Sequence, residues 1–289
     1  MAGEAWEMVL SALATYSRMI KLSHTIFALP FALASGWMAS SHVAVSLTQW
    51  ALIVACMVTA RSSAMGFNRL ADVDIDRDNP RTASRELPSG QLSMFDAWLF
   101  TLGSAALFVL CAGLLGETTL WLSPIVLLVV WGYSLAKRFT MWCHAVLGVA
   151  LGLAPTAVWI ALTDSFGWTP ALLSVAVGTW VAGFDIIYAC QDAEFDAAED
   201  LYSLPSRLGL SRALMVSRAF HVVTVAALAA LPWVESLTWA YWPGWMLIAG
   251  VLFYEHTLVS PTDLSRIDRA FFDLNGYISM AFLLTVVLA

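Results

Sequence analysis

Residues 67 to 82 read FNRLADVDIDRDNPRT, which sets Asp72, Asp74, Asp76 and Asp78 among Arg69, Arg77 and Arg81. On a helix turning about 100° per residue, Asn68, Asp72 and Asp76 stand at i, i+4 and i+8 and fall within about 80° of arc. Arg61, seven residues before Asn68, lands on the same side. A second stretch behaves alike, because Asp185, Tyr188, Asp192, Asp196 and Asp200 share one helix face. Stacked carboxylates repel one another, and an acid at membrane depth costs about 2.5 to 3.5 kcal/mol on insertion scales. Such columns need a counter-charge. A hard divalent cation is the natural one, since Mg2+ takes a few carboxylate oxygens and completes its octahedron with water and substrate phosphates. Arg81, Arg85, Lys137, Arg138 and Arg207 on the flanking loops add charge-assisted hydrogen bonds to a polyanion. These residue types describe a clamp for a diphosphate.

The elements that must carry the two columns are oily. Of 289 residues, 60% are hydrophobic and only 12% are charged, against about 25% charged in soluble proteins; the mean hydropathy is +0.76. A spanning helix needs about 20 mostly apolar residues, and such stretches centre roughly on residues 30, 56, 105, 126, 152, 181, 221, 248 and 279. They predict an all-α, multi-pass membrane protein of nine transmembrane helices surrounding a central cavity open toward the cytoplasmic face. Residues 1–289 then form a single membrane-embedded domain. All 14 Lys and Arg residues lie before the first span or near alternate junctions, and none lies near residues 43, 117, 165 or 236. The positive-inside rule therefore puts the N-terminus and the acid clusters on the cytoplasmic side of a bacterial-type inner membrane. No cleavable leader is expected, because the first apolar stretch runs on to spanning length. Residues 5 to 17, AWEMVLSALATYS, have the pattern of a short interfacial helix.

Punctuation places each column at a helix end. Pro80, Pro88 and Gly90 close the first charged junction, and Pro205 and Gly209 close the second. Other chemistries find little support. Cys56, Cys111, Cys143 and Cys190 stand singly, without metal or disulfide spacing. DVDIDRDN departs from a calcium loop, with Arg77 where glycine is needed and Ala83 where glutamate is needed. His24, His42, His144, His221 and His256 are scattered without metal-ligand spacing, and His24, the one near the basic face, is read as structural. No nucleic-acid surface and no obligate protein partner is indicated. The lipid bilayer is the expected surrounding.

NRLADVDIDRDNPRT resembles the first signature of the UbiA superfamily of intramembrane prenyltransferases, here Asn68, Asp72, Asp76, Arg81 and Thr82. Asp185, Tyr188, Ala189, Asp192 and Asp196 resemble its second, YSLAKRFT resembles its basic segment after the fourth span, and Arg61 matches an arginine that often precedes the first signature. The chain departs at Arg69, where many members acting on 4-hydroxybenzoate carry aspartate. KLSHTIFALPFAL and LYSLPSRLG look like the 4-hydroxybenzoate polyprenyltransferase-like branch, which includes the futalosine-pathway menaquinone prenyltransferase.

The resemblance implies Mg2+-dependent transfer of a polyprenyl group from polyprenyl diphosphate to a small aromatic acid, of the 1,4-dihydroxy-6-naphthoate or 4-hydroxybenzoate type, in menaquinone or ubiquinone biosynthesis. Asn68, Asp72, Asp76, Asp192 and Asp196 would hold the metal, and Arg61, Arg81, Lys137, Arg138 and Arg207 would bind the diphosphate. Tyr188 would shield the allylic cation through its ring face, and Asp185 would take the acceptor's proton. Haem O synthase and chlorophyll synthase share similar metal motifs. From a different class, an ion-coupled transporter also keeps intramembrane acids, with broken helices and charges near the midplane.

Overall fold

The structure, a computed structural model, describes residues 15–20 and 28–289. The expected interfacial helix lies largely outside the described residues, as do Lys21 and His24. Among the described residues the chain is all-α, with one isolated β-bridge between Ser260 and Asp263.

The long helices are α1 (Leu29–Ala39), α2 (Leu47–Ala71), α3 (Met94–Leu115), α4 (Glu117–Gly132), α5 (Cys143–Thr163), α6 (Trp168–Ala189), α7 (Leu210–Ala230), α8 (Tyr241–Leu258) and α9 (Asn275–Leu288). Counted with their tightened ends, seven helices among the described residues are long and apolar enough to cross a membrane. The other two expected spans correspond to α1 and α8. α1 has 11 described residues, its upstream neighbours lying outside the description. α8 has 18 residues, but Tyr241, Trp242 and Pro243 at one end and Glu255 and His256 at the other dilute its apolar centre.

Local chemistry sets the ends. Ser46 and Gln49 form a reciprocal capping box at the start of α2, and Ser93 accepts from the Asp96 N–H at the start of α3. Pro124 and Pro155 sit inside α4 and α5; the Leu120 carbonyl, one turn before Pro124, accepts from Ser123 Oγ of the same helix at 2.8 Å.

Small residues decide which helices approach closely. A Cβ at Gly148 of α5 would collide with the carbonyl of Gly178 of α6, and one at Gly152 would come within 2.7 Å of the Ser174 carbonyl oxygen. Backbone thus meets backbone, as small-residue interfaces in membranes allow. A Cβ at Gly66 of α2 would likewise strike Thr101 of α3. Large side chains fill the core beside these contacts, where Phe31 stacks on Phe282 at 4.6 Å and lies 5.0 Å from Trp180 of α6. Leu99, Leu114, Trp121, Leu128 and Phe253 are exposed on the outside of the bundle, the arrangement expected when lipid is the surrounding solvent.

Candidate active site

α2 ends at Ala71, and Asp72 adopts φ −101° and ψ 8° before the chain re-enters a short helix, Val73–Asp78. That is the sparsely populated bridge region, common at functional positions. Asn68 Nδ2 donates to Asp72 Oδ2 at 3.2 Å and lies 3.4 Å from Ser134 Oγ. The turn Tyr133–Arg138, a tighter 3₁₀ continuation of α4, brings two cations to this carboxylate. Lys137 Nζ is 2.9 Å from Oδ2 and Arg138 Nη2 is 3.1 Å from Oδ1. Arg138 is itself fixed by donating to the Ala71 and Ser134 carbonyls at 2.6 and 3.2 Å. Even so, Asp72 Oδ1 is buried without a partner in hydrogen-bonding geometry.

The kink at Asp72 separates the first column into two environments. Asp76 is buried, and both its oxygens accept from Arg85 Nη1 at 2.7 Å. Arg69, at the departure from the common family pattern, is buried too and donates from Nε to the Met19 carbonyl at 3.1 Å, tying residues 15–20 to α2.

The second column bends in the same way. α6 tightens through Cys190–Asp192, Asp192 adopts φ −100° and ψ 5°, and a helix resumes over Ala193–Ala198. Asp192 Oδ1 accepts from Arg81 Nε at 2.9 Å and from Asn79 Nδ2 at 3.1 Å, while Arg81 Nη2 pairs closely with Oδ2. Arg81 Nη1 donates to the Tyr188 hydroxyl at 3.0 Å, with the guanidinium 5.2 Å from the ring centroid. Burial opposes the Arg81 charge, but the hydrogen bonds and charge of Asp192 outweigh it and hold the guanidinium above its ordinary pKa. Tyr188 stacks on Phe271 at 4.1 Å. Deeper on α6, Asp185 Oδ2 lies 2.7 Å from His144 Nδ1 of α5.

These elements enclose one cavity of about 710 Å³. Asn68, Asp72, Arg81, Lys137, Asp192 and Asp196 line its charged end, together with Asp185 and Tyr188. Phe108, Ala112, Leu115, Val126 and Leu151 line its apolar part. Arg61 also lines it, half-buried, with its buried Nε lacking a hydrogen-bond partner. Asp76, Arg138 and Arg207 are not among the lining residues: Asp76 is bonded to Arg85, which does line the cavity, Arg138 grips Asp72 from the side, and Arg207 pairs with Asp200 at 2.6 Å over the Tyr202 ring. Sequence reasoning missed His144, Asn79 and Ser134 as members of the site. His144 is 41 residues from Asp185 and Asn79 is 113 from Asp192, so no local spacing announces either pair.

The donor set fits Mg2+. It offers hard carboxylate and amide oxygens, and one of them, Asp72 Oδ1, is buried with the Arg138 ion pair but no hydrogen bond. Among the described residues no three Asp, Glu, His or Cys side chains converge into a ready-made cage, and Mg2+ sites of one or two carboxylates plus substrate phosphates require none.

Apolar helices around a cavity with paired acids and bases at one end describe a membrane-embedded protein whose site can take an amphiphile with a charged head. Residues 28–283 match the UbiA prenyltransferase family, and the chain belongs to it: it is an integral membrane prenyltransferase. The 4-hydroxybenzoate octaprenyltransferase of Tolumonas auensis is 29% identical over 253 residues, covering 88% of this chain and 87% of that protein. A UbiA homolog from Aeropyrum pernix K1, solved in its apo state, is 33% identical with a TM-score of 0.84, covering 92% of this chain and 97% of the other. A UbiA homolog from Archaeoglobus fulgidus, solved with GPP and Mg2+, shares the fold at 22% identity with a TM-score of 0.72, over 95% and 100% of the two chains.

Proposed function

We propose that this enzyme transfers a polyprenyl group from polyprenyl diphosphate to a small aromatic acid of the 4-hydroxybenzoate or 1,4-dihydroxy-6-naphthoate type, making a precursor of ubiquinone or menaquinone. The observation that carries this reading is the single cavity with acids and cations at one end and an apolar interior at the other. An amphiphile with a charged head and an isoprenoid tail matches both ends. The donor found in the Archaeoglobus fulgidus homolog and the activity named for the Tolumonas auensis relative support the same substrate classes.

Asn68, Asp72, Asp192 and Asp196 would hold Mg2+, with Asp76 next to them in the first motif bonded to Arg85, which lines the same cavity. When bound, Mg2+ neutralises charge that builds on the departing diphosphate. Lys137 and Arg81 hydrogen-bond the same group, and Arg138 keeps Asp72 in place. As the bond to diphosphate breaks, its electron pair leaves with the diphosphate and an allylic cation remains. Tyr188 presents its ring face to that cation, and the apolar walls keep water away. Asp185 takes the acceptor's proton. Arg61 stands about 10 Å deeper than Asn68 at about 1.5 Å per residue, beyond the diphosphate region. Its buried Nε, which has no hydrogen-bond partner, makes Arg61 an anchor for the acceptor's carboxylate in this reading, where the family resemblance alone implied a diphosphate contact.

The enzyme works as one domain of nine spans, with the N-terminus and the charged end of the cavity facing the cytoplasm, the side that the basic loops select. Purified protein in vesicles should release diphosphate from geranyl diphosphate only when Mg2+ and one acceptor from a panel of 4-hydroxybenzoate, dihydroxynaphthoate and homogentisate are present. No turnover with any acceptor overturns this reading.

A further inference from the structure

His144, the second residue of α5, is buried at 3% exposure between α6 and the segment that follows the second acid motif. Its Nδ1 lies 2.7 Å from Asp185 Oδ2, and its Nε2 lies 3.3 Å from the backbone nitrogen of Leu204. A backbone N–H can only donate, so Nε2 presents its lone pair to Leu204. The proton of the neutral ring therefore sits on Nδ1 and points at Asp185. With both nitrogens occupied, His144 has no position left for substrate. Asp185 is different: its side chain is 25% exposed and lines the cavity, and Oδ1 has no hydrogen-bond partner among the described residues.

We infer that His144 is a positioning residue for Asp185, its fixed Nδ1–H holding one carboxylate oxygen so that the other faces the acceptor. The inference rests on the reading of Asp185 as the base. In that step the acceptor's ring carbon bonds to C1 of the prenyl group and the C1–O bond breaks, its electron pair leaving with diphosphate. The ring proton then passes to Asp185 Oδ1 and aromaticity returns. A carboxylate free to rotate would spread over several orientations, whereas one pinned at Oδ2 is held near the attacking geometry.

The pair also admits a purely architectural role, in which His144 staples α5 to Leu204. Two substitutions separate the roles. In His144→Asn the amide N–H falls near the position of Nδ1 and keeps the bond to Asp185. In His144→Gln the amide reaches the position of Nε2 and keeps the bond to Leu204.

The test uses the full-length enzyme in vesicles with Mg2+, geranyl diphosphate and the best acceptor of the panel, with yield and size-exclusion profile checked for each variant. His144→Ala should lower kcat about 100-fold, the scale of a 1 Å misplacement, with the KM for geranyl diphosphate within about twofold of wild type. His144→Asn should regain at least about tenfold of that loss and His144→Gln should not. The double variant Asp185→Asn/His144→Ala should be no slower than Asp185→Asn alone, since residues that act through one another are not additive. Recovery by Gln but not Asn, or additive losses in the double variant, overturns the inference. A wild-type rate from Asp185→Asn removes the base itself and the inference with it, an outcome visible in that single variant. If His144→Ala does not fold, the comparison of Asn with Gln decides.

Discussion

Asp72 and Asp192 occupy corresponding places in the two acid motifs. Each follows a long helix, each adopts φ near −100° with ψ near zero, and each starts a helix of six residues. Their partners differ. Asp72, with its side chain 6% exposed, is met by Lys137 and Arg138 from one short turn, and Arg138 is locked by two carbonyls. Asp192, 17% exposed, depends on Arg81, which comes from the loop of the other motif and is itself 32% exposed. The first motif is therefore preorganised, whereas the second is held by a residue that, under the proposed function, an incoming diphosphate would compete for. The same backbone device carries a fixed anchor on one side and an exchangeable one on the other.

Substitution of the two acids is the sharpest way to break that contrast. Asp72→Asn removes the charge that Lys137 and Arg138 are arranged around, and kcat should fall about 10²–10³-fold, the scale of losing one preorganised transition-state contact. Asp192→Asn should cost less, about 10–100-fold on the same scale, because Asn79 remains to hold the amide and Arg81 is released toward the substrate. Steady-state rates with geranyl diphosphate decide the order. Equal losses would show that the two motifs contribute alike and that the difference in partners has no catalytic consequence.

Arg81→Ala probes the exchangeable contact directly. The residue makes charge-assisted contacts with Asp192 and one hydrogen bond to Tyr188, and bonds to charged groups are worth about 1.5–3 kcal/mol. Some of that is returned when Asp192 is freed, so the KM for geranyl diphosphate should rise about tenfold, or about 1.4 kcal/mol, with a smaller change in kcat. Arg81→Lys should fall between, since it keeps the charge and loses the planar fork. A kcat effect larger than the KM effect would place Arg81 in the fixed anchor instead.

Much of this contrast was hidden in the sequence, for physical reasons that differ by residue. The apolar stretches and the i, i+4 acids announced an all-α membrane protein and its two motifs, because hydropathy and helical periodicity are local properties. The kinks at Asp72 and Asp192 were not legible: a continuous helix satisfies the same spacing, and only packing against the Tyr133–Arg138 turn and the Asn79–Arg81 loop fixes the break. For that reason Asp76, in line with Asp72 on an ideal helix, is instead taken up by Arg85 and does not line the cavity. His144 looked like one of several scattered histidines. Its role depends on the close approach of α5 and α6 through Gly148, Gly152 and Gly178, a match between helices distant in sequence. Arg69, a departure when set beside the family pattern, has a structural purpose in holding Met19.

The smallest expected effect tests whether Tyr188 belongs to the exchangeable side. Its hydroxyl accepts from Arg81, its ring stacks on Phe271, and the residue lines the cavity. Tyr188→Phe removes the hydroxyl and keeps the ring, so one hydrogen bond worth about 1 kcal/mol is lost. If the ring face is what serves the allylic cation, kcat should fall only a few-fold, in line with that single bond. Tyr188→Leu removes the quadrupole as well and should lower kcat further, by about another tenfold, if the cation lies over the ring at a desolvated site where the interaction reaches about 2 kcal/mol. Measured in parallel with Arg81→Ala, the Phe variant should add little to the arginine's loss, because the bond it deletes is already gone. A full additional loss in Arg81→Ala/Tyr188→Phe would show that the hydroxyl acts on the substrate itself and not through the arginine that bridges the two motifs.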